Sequence, residues 1–283
     1  MNGVELPLPP TELLDRVGEV GGRPVVYEFI GRQTREEILA LLPRGWTFEG
    51  KRILDFGCGA GRTLRHFVSE AEVAEIHGCE IDAPSVGWLE EHLSPPFHVF
   101  RNDEAPPLAL ESESFDLVWA ISVFTHLTDR WADWLLELHR VLRDGGLLIA
   151  TILGPELADE LHPAVPDGRL PAATPAGDRI GMNVLHFGRS WDLGGPATFH
   201  SEWWIREHWG RAFDILELRE DGFIPVQDWR GQGVVLLSKR RGAPTVEELE
   251  RVDLSEPREL AALRHNVRQL HRELARARKA TAG

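Results

Sequence analysis

The chain has 283 residues, of which 42% are apolar and 27% are charged, and this suits one large globular domain or one domain with an appendage. A formal net charge of −14 disfavours binding to phosphate backbones and to anionic lipid surfaces, so we expect neither a nucleic acid nor a membrane as partner. No run of about 18 apolar residues predicts a membrane span, and the N-terminus lacks a basic start with an apolar signal core, so a cytoplasmic protein is expected.

The first 50 residues are predicted to form a helical leader or cap. Thr11 could cap a short helix that runs to about Val20, and the glycine pair at 21–22 would end it. A second helix is predicted over residues 34–42, where the apolar residues recur on one side.

From residue 51 to residue 242, segments typical of strands and helices alternate. Such alternation predicts a Rossmann-like α/β domain, a doubly wound and mostly parallel sheet with helices on both faces. The predicted strands are residues 52–56, 75–79, 97–100, 115–121, 147–152, 213–218 and 234–238. The predicted helices are residues 62–69, 84–93, 130–142 and 201–209.

Two further segments depart from this pattern. Residues 154–200 are rich in proline and glycine, and a loop of that length is usually functional, so we predict a lid. Residues 243–283 are predicted to be a helical tail, with seven basic and only two acidic residues between Arg258 and Lys279. Two interpretations stay open: a helix packed on the body with a solvated basic face, or a helix that joins a homodimer or another partner. The tail's regularly spaced apolar residues are Leu260, Leu263, Val267, Leu270 and Leu274.

A glycine motif, LDFGCGAGR, follows the first predicted strand. Its glycines are spaced G-x-G-x-G, whereas the dinucleotide fingerprint is spaced G-x-G-x-x-G. Asp55 stands just before the glycines, where a carboxylate would repel a pyrophosphate but would suit a ligand with an ammonium and a sulfonium charge. The motif therefore favours a cationic ligand over a dinucleotide.

Polar residues also follow the next two strands. Glu80 ends the second strand, where a carboxylate can accept hydrogen bonds from both hydroxyls of a ribose. Asn102 and Asp103 follow the third strand, where one of them could meet the amino group of an adenine.

With LDFGCGAGR, CEID, RND, FDLVWAISVFTHL and LHRVLRDGGLLIATI, roughly residues 50–240 resemble the class I S-adenosylmethionine-dependent methyltransferases. The resemblance implies a seven-stranded sheet with an antiparallel last strand, and S-adenosylmethionine as cofactor with S-adenosylhomocysteine as product. It implies the following cofactor-binding residues: Asp55, Gly57, Cys58, Gly59 and Gly61 at the amino-acid part, Glu80 at the ribose, Ile81 on the adenine, Asn102 or Asp103 at its amino group, and Ala120 and Ile121 near the methionine. Leader residues Tyr27 and Arg32 could close over the cofactor or could simply pack in the body.

An oxygen acceptor must lose its proton during methyl transfer, so a general base is expected. His126, just beyond the fourth strand, is the first candidate and His200 the second, while Asp228 and Glu202 are weaker ones. Each histidine could instead be a core or helix-capping residue. The tryptophans of the C-terminal half could form a flat wall for a sugar or could pack in the core; they are Trp191, Trp203, Trp204, Trp209 and Trp229.

The leading hypothesis is an O-methyltransferase for a small polar acceptor such as a sugar, a glycoside or a natural product, with N-methylation still open. The alternatives are an NAD(P)-dependent oxidoreductase on a similar sheet and a non-catalytic scaffold. We expect no metal site, because His186, His200, His208 and Glu202 match no established ligand spacing.

Overall fold

The computed structural model describes residues 6–14, 23–157, 181–185, 189–190, 195–225, 230–242 and 244–281. The strands are β1 (Arg52–Phe56), β2 (Glu75–Glu80), β3 (His98–Arg101), β4 (Phe115–Ala120), β5 (Leu142–Ile152), β6 (Met182–Leu185), β7 (Ala197–His200), β8 (Phe213–Phe223) and β9 (Gln232–Lys239). The helices are α1 (Thr11–Leu14), α2 (Pro24–Leu41), α3 (Ala83–His92), α4 (Trp131–Val141), α5 (Glu202–His208), α6 (Val246–Glu250) and α7 (Pro257–Thr281).

Seven strands form the main sheet in the order β3-β2-β1-β4-β5-β9-β8. The first five are parallel to their neighbours, and β9 is antiparallel to both β5 and β8. The predicted fold class, with its antiparallel last strand, is therefore confirmed. Strands β2 and β3 lie on one side of β1, and β4 lies on the other side of β1. The carboxyl ends of β1 and β4 therefore border the crevice where ligands bind in such sheets.

Alternating side chains of the central strands fill the core on both faces of the sheet. Leu54 and Val118 point to the face that carries α4 and α5, while Ile53 and Trp119 point to the face that carries α2 and α3. Because both faces are covered, the central strands are apolar nearly throughout, as the sequence indicates. The alternation places Asp55 on the same face as Ile53 and Trp119.

Several predicted elements differ in the structure. The helix predicted over residues 62–69 is only a short 3₁₀ helix, Leu64–Phe67. The reason is crowding by α2: a Cβ on Gly31 would lie 2.1 Å from the Arg62 carbonyl oxygen. Helix α2 begins at Pro24, well before the predicted start at residue 34. Proline is well tolerated in the first turn of a helix, and the buried residues of α2 recur at helical spacing from Tyr27 onward.

Two more predictions need correction. Residues 154–200 are not loop throughout, because β6 and β7 pair as a small antiparallel sheet. The tail is two helices, α6 and α7, separated by residues 251–256. Much of the predicted lid lies outside the described residues, namely 158–180, 186–188 and 191–194. The part of the first predicted helix beyond residue 14 also lies outside them.

The leader and the tail both contact the main domain: α2 packs beside the 3₁₀ helix, and α7 packs against β6. The division at residues 50 and 243 stays a prediction. Within the described part of the chain, no helix combines the length and apolar character needed to cross a membrane.

Candidate active site

The turn after β1, residues 57–61 and hereafter the glycine loop, is held by its own backbone. Gly57, Gly59 and Gly61 have φ angles of +75°, +53° and +80°, a region that glycine enters without steric cost. The Gly57 and Cys58 N–H groups both donate to the Cys79 carbonyl, at 2.9 and 3.0 Å, so the loop is tied to the end of β2. This arrangement leaves bare backbone at the carboxyl edge of the sheet.

Neighbouring side chains also require glycine at two of these positions. A Cβ on Gly57 would lie 2.5 Å from Val123 Cγ2, and one on Gly61 would lie 2.7 Å from Leu89 Cδ2. The first contact brings the segment after β4, residues 121–127 and hereafter the β4 loop, against the glycine loop.

Asp55 is buried just before the glycine loop, with 2% of its surface exposed. It is in register with Gly78 on one side and Trp119 on the other. The pKa of its carboxyl is raised to about 7: burial is the largest cause and the Glu80 charge acts in the same direction, while the Trp119 indole and the Arg62 guanidinium oppose it.

Its Oδ2 has no hydrogen-bond partner of good geometry among the described residues, and neither has Trp119 Nε1. We therefore attribute the effect of the indole on the pKa to an interaction weaker than a formed hydrogen bond. A buried carboxylate oxygen without a donor, beside bare backbone, fits a ligand that brings an ammonium group.

Glu80 links β2 to the glycine loop. Its Oε2 accepts from the Gly59 N–H at 2.8 Å, and its Oε1 accepts from the Ile81 and Asp82 N–H groups at 2.8 and 3.0 Å. A carboxylate offers about four acceptor positions, so room remains for a further donor. The predicted ribose contact of Glu80 and the predicted adenine contact of Ile81, which is half-buried, stay predictions.

Asn102 lies beside this group, since its N–H donates to the Glu80 carbonyl at 3.1 Å. Its side-chain Nδ2 donates to the Asp103 carbonyl, while its buried Oδ1 has no partner in the described part of the chain. The Asp103 side chain is exposed. Of the two residues predicted for the adenine amino group, Asn102 is therefore the one with an unsatisfied buried acceptor.

His126 lies in the β4 loop, where its backbone N–H donates to the Val123 carbonyl at 2.9 Å. Its Nδ1 lies 2.8 Å from the Pro196 carbonyl oxygen. Because a carbonyl oxygen only accepts, Nδ1 must carry the proton, and the neutral ring keeps an open lone pair on Nε2.

The environment of His126 favours the neutral ring. Partial burial lowers its pKa, and the hydrogen bond to Pro196 raises it by less. The residue still has an exposed surface, so solvent reaches it and this desolvation is incomplete.

Comparison with known proteins identifies the domain. Residues 54–148 match the family model of a methyltransferase domain. The chain is 31% identical to malonyl-acyl-carrier-protein O-methyltransferase of Enterobacter lignolyticus over 133 residues. The aligned segment covers 47% of this chain and 50% of that relative. It is 32% identical to ubiquinone biosynthesis O-methyltransferase of Cereibacter sphaeroides over 131 residues. This second aligned segment covers 46% of this chain and 52% of that relative. The chain thus spans about half the length of the curated relatives it matches.

Among solved structures, magnesium protoporphyrin IX methyltransferase of Synechocystis PCC 6803 with bound S-adenosylhomocysteine is similar in fold, with a TM-score of 0.52 and 16% identity over 81% of this chain and 93% of that chain. The domain that contains residues 54–148 belongs to the class I S-adenosylmethionine-dependent methyltransferases. The predicted family and its cofactor are thereby confirmed.

The leader reaches the glycine loop through Tyr27, whose hydroxyl donates to the Ala60 carbonyl at 2.9 Å. Burial raises the pKa of Tyr27 well above its usual value. Arg32 is exposed on the same helix. The pKa of His66 is lowered to about 4, first by burial and then by the charges of Arg65 and Arg32. Tyr27 thus contacts the loop, whereas the Arg32 side chain points to the surface.

Sequence reasoning missed Arg62 as part of the site. Burial lowers the pKa of its guanidinium, and the Tyr27 and Asp55 groups raise it, so the cation lies within electrostatic reach of Asp55. The available signal was a basic residue directly after the last glycine of the loop.

A polar network on the β4 loop was also missed. Ala120 is fully buried in the core, and Ile121 is half-buried beside it. The next residue, Ser122, has a φ of +60°, its N–H donates to Thr151 Oγ1 at 2.7 Å, and its hydroxyl oxygen accepts from Gln232 Nε2 at 2.8 Å. Gln232 Oε1 is buried and has no partner among the residues described. The available signal was Thr151, a polar residue inside the otherwise apolar run 147–152.

His200 is not brought to the same surface as His126. It is fully buried in β7, where its ring lies against Trp204 and Trp209. Burial lowers its pKa to about 3, and neither ring nitrogen has a hydrogen-bond partner within the described ranges. A group so enclosed is poorly placed to take a proton from an acceptor at the carboxyl edge, so His126 is the better candidate.

The remaining candidates lie elsewhere. Glu202 begins α5 and pairs with Arg206 on an exposed surface. Asp228, His186, Trp191 and Trp229 lie outside the described residues. Within the ranges that are described, no group of three or more His, Cys, Asp or Glu could hold a metal.

Of the two alternatives for the tryptophans, core packing holds for Trp204 and Trp209, which are buried with Phe124 and Trp131. Trp203 is partly buried and lies 4.4 Å from the Arg258 guanidinium. Large aromatic side chains on a short amphipathic helix bury more apolar area in the core than they would at an open surface, which explains the outcome.

Proposed function

We propose that this protein transfers a methyl group from S-adenosylmethionine to an oxygen of a small polar acceptor, such as a sugar, a glycoside or a natural product, with His126 as the general base. The observation that carries the proposal is the Pro196 carbonyl on Nδ1, which leaves Nε2 as the basic nitrogen. The β4 loop that carries His126 also packs on Gly57 through Val123. A base is therefore available beside the glycine loop.

The cofactor, when bound, supplies an activated methyl on a sulfonium. In this proposal Asp55 holds the ammonium group, Glu80 the ribose hydroxyls and Asn102 the adenine amino group. His126 Nε2 takes the proton of the acceptor hydroxyl as the oxygen is methylated, and Gln232 Oε1 accepts a hydrogen bond from a second hydroxyl. Holding the acceptor in line for the transfer could supply on the order of 7–11 kcal/mol when the reacting atoms are well oriented.

The names of the relatives support an oxygen acceptor. Both curated relatives described above are O-methyltransferases, one of malonyl-acyl-carrier protein and one in ubiquinone biosynthesis. Their acceptors differ, so they support the type of acceptor atom and not a particular molecule. The methyltransferase domain and the Asp55 oxygen that lacks a hydrogen-bond donor among the described residues both argue against the two alternative hypotheses, an NAD(P)-dependent oxidoreductase and a non-catalytic scaffold.

Calorimetry with S-adenosylmethionine and, separately, with NAD tests the cofactor. Binding of the sulfonium compound alone is expected; binding of NAD alone, or of neither, contradicts the proposal. Glu80→Ala should weaken binding of S-adenosylmethionine, and Glu91→Ala, at an exposed acid on α3, is the matched control.

Transfer from radiolabelled S-adenosylmethionine to a panel of sugars, glycosides, phenols, carboxylic acids and amines tests the acceptor. Label in a base-stable ether is expected. Label found only in amines would assign N-methylation instead.

Two further proposals accompany this function. Both cysteines are free and buried, as befits a reducing compartment, and we propose a cytoplasmic location. For a protein partner we propose a second copy of this chain, bound through α7.

A further inference from the structure

An apolar stripe runs along one side of α7 and is exposed in the single chain. Its five members are between 37% and 54% exposed, and none belongs to a hydrophobic core cluster of the described residues. Their spacing of three and four residues alternately is that of the a and d positions in a coiled coil. The stripe consists of Leu260, Leu263, Val267, Leu270 and Leu274.

A different side of α7 attaches to the body. Asn266 Nδ2 donates to the Met182 carbonyl at 2.7 Å, and its Oδ1 accepts from the Val184 N–H at 3.1 Å. Ala262 is buried against Gly181, whose added Cβ would lie 2.6 Å from it. At about 100° per residue these contacts lie roughly a quarter of a turn from the stripe, so a partner helix could lie along the stripe while α7 stays attached to the body.

Opposite charges flank the two edges of the stripe. Heptad numbering from Leu260 places Arg264 and Arg278 on one edge, and Glu259 and Glu273 on the other. Glu259 is buried against His208 Nε2 at 2.9 Å and fastens the start of α7 to α5. Glu273 and Arg278 lie on the part of the helix beyond these attachments.

This pattern is complementary to itself in one orientation. In a parallel pair the Glu273 edge of each helix faces Arg278 of the second copy, which is attractive. In an antiparallel pair each basic edge faces a basic edge. An anionic lipid surface would attract the basic edge but repel the acidic one.

We propose that a second copy of this chain binds along the stripe, so that two α7 helices form a parallel coiled coil in register. From Leu260 to Leu274 the seam is about 21 Å long at 1.5 Å per residue. That is only two heptads, fewer than the three or four of a self-sufficient coiled coil, so the dimer dissociates on dilution.

Sedimentation equilibrium of the full chain over a wide concentration range tests this proposal without cofactor or acceptor, so its result is independent of the methyltransferase function. A reversible monomer–dimer equilibrium is expected. Val267→Asp, in the centre of the stripe, should weaken association at least about 100-fold, because it buries two like charges. Ala275→Asp introduces the same charge on another side of the helix and should change association no more than about threefold.

A chain that stays monomeric at every concentration overturns the proposal, as does an equal effect of the two aspartates. Binding of the monomer to anionic phospholipid vesicles, with loss of binding in Val267→Asp, would assign the stripe to a membrane surface instead.

Disulfide trapping tests the orientation. In a parallel pair in register, Leu263→Cys and Leu274→Cys should each cross-link with an identical copy under mild oxidation. In an antiparallel pair that sets Val267 against Leu270, Leu263 lies opposite Leu274, so neither variant would cross-link alone but a mixture of the two would. The native Cys58 and Cys79 are buried, and the unaltered chain is the control.

Discussion

The proposed cofactor end of the site is built from residues 55–80, whereas the proposed acceptor end joins the β4 loop to Pro196 and Gln232. At the first end the chain turns once between two adjacent strands, and backbone N–H groups of the turn bond to Cys79 and Glu80. At the second end, Gln232 bonds to Ser122 across 110 residues of sequence, and His126 bonds to Pro196 across 70. A part of a binding site that is formed by one turn of the chain can therefore be inferred from a sequence motif. A part that is formed by segments distant in sequence cannot. Substitutions at the two ends should therefore affect different steps.

The largest effect is expected for His126→Ala. Loss of a general base should lower kcat by about 10²–10⁴-fold, while the Kd for S-adenosylmethionine should stay within about twofold. Initial rates and calorimetry measure the two quantities. His271→Ala, at an exposed histidine on α7, is the control. Turnover that is unaltered in His126→Ala would remove this residue as the base.

The pH profile sharpens the same prediction. Partial burial lowers the pKa of His126, so the neutral base persists at lower pH than an ordinary histidine would allow. The acidic limb of kcat/KM should therefore lie below about 6.5, the usual histidine value. A limb above that value would contradict the assignment.

Gly57→Ala should have the next largest effect, at the cofactor end. The new Cβ would lie 2.5 Å from Val123 at a φ of +75°, so the loop must shift and the strain should cost about 1–3 kcal/mol of unfolding free energy. Binding of S-adenosylmethionine should weaken by about 100-fold, since the bare backbone is filled. Chemical denaturation and calorimetry provide the measurements.

Gly87→Ala is the matched control, because Gly87 lies within α3 and a Cβ there meets nothing within 4 Å. It should be neutral or stabilising by up to about 1 kcal/mol. Equal destabilisation by the two alanines would show that the glycine loop has no special requirement.

Asp55→Asn should weaken cofactor binding by about tenfold at pH 8, because an amide cannot pair with an ammonium group. It should also change the pH dependence of stability. The folded pKa of Asp55 is raised to about 7 from a usual value of 3.8, so between these two values the unfolded chain releases a proton that the folded chain keeps. The contribution of Asp55 to stability is therefore present below about 3.8 and is lost as pH rises to about 7.

Thermal unfolding of the apoprotein from pH 5 to pH 8 measures this effect. The melting temperature of Asp55→Asn minus that of the unaltered chain should increase with pH. A difference that stays constant across this range would show that Asp55 titrates as an ordinary carboxyl.

The smallest effect is expected for Gln232→Ala, at the acceptor end. Loss of its bond to Ser122 and of its open Oε1 should raise the KM for the acceptor by about threefold, with cofactor binding unchanged. Initial rates at saturating cofactor measure it. A larger change in the Kd for S-adenosylmethionine than in the KM for the acceptor would contradict the proposed separation of the two ends.

Features that depend on local chain order could be predicted. The spacing of Gly57, Gly59 and Gly61 and the carboxylates Asp55 and Glu80 identified the family, and the alternation of apolar segments predicted the sheet. The shortening of the helix after the glycine loop could not be predicted, because it depends on the close approach of Gly31 to Arg62. The roles of Arg62, Thr151 and Gln232 depend on strands that meet only in the folded sheet.

The amino-acid sequence by itself determined the family, the seven strands of the main sheet and the turn at the cofactor end, since these follow from residue types close together along the chain. Only the tertiary structure shows that His126 is exposed and His200 is buried, because exposure and the partner of each ring nitrogen depend on distant segments. It also decided that Trp204 and Trp209 belong to the core and that the stripe on α7 stays uncovered by the described body. Burial and hydrogen-bond partners are properties of packing, and residue spacing alone carries no measure of either.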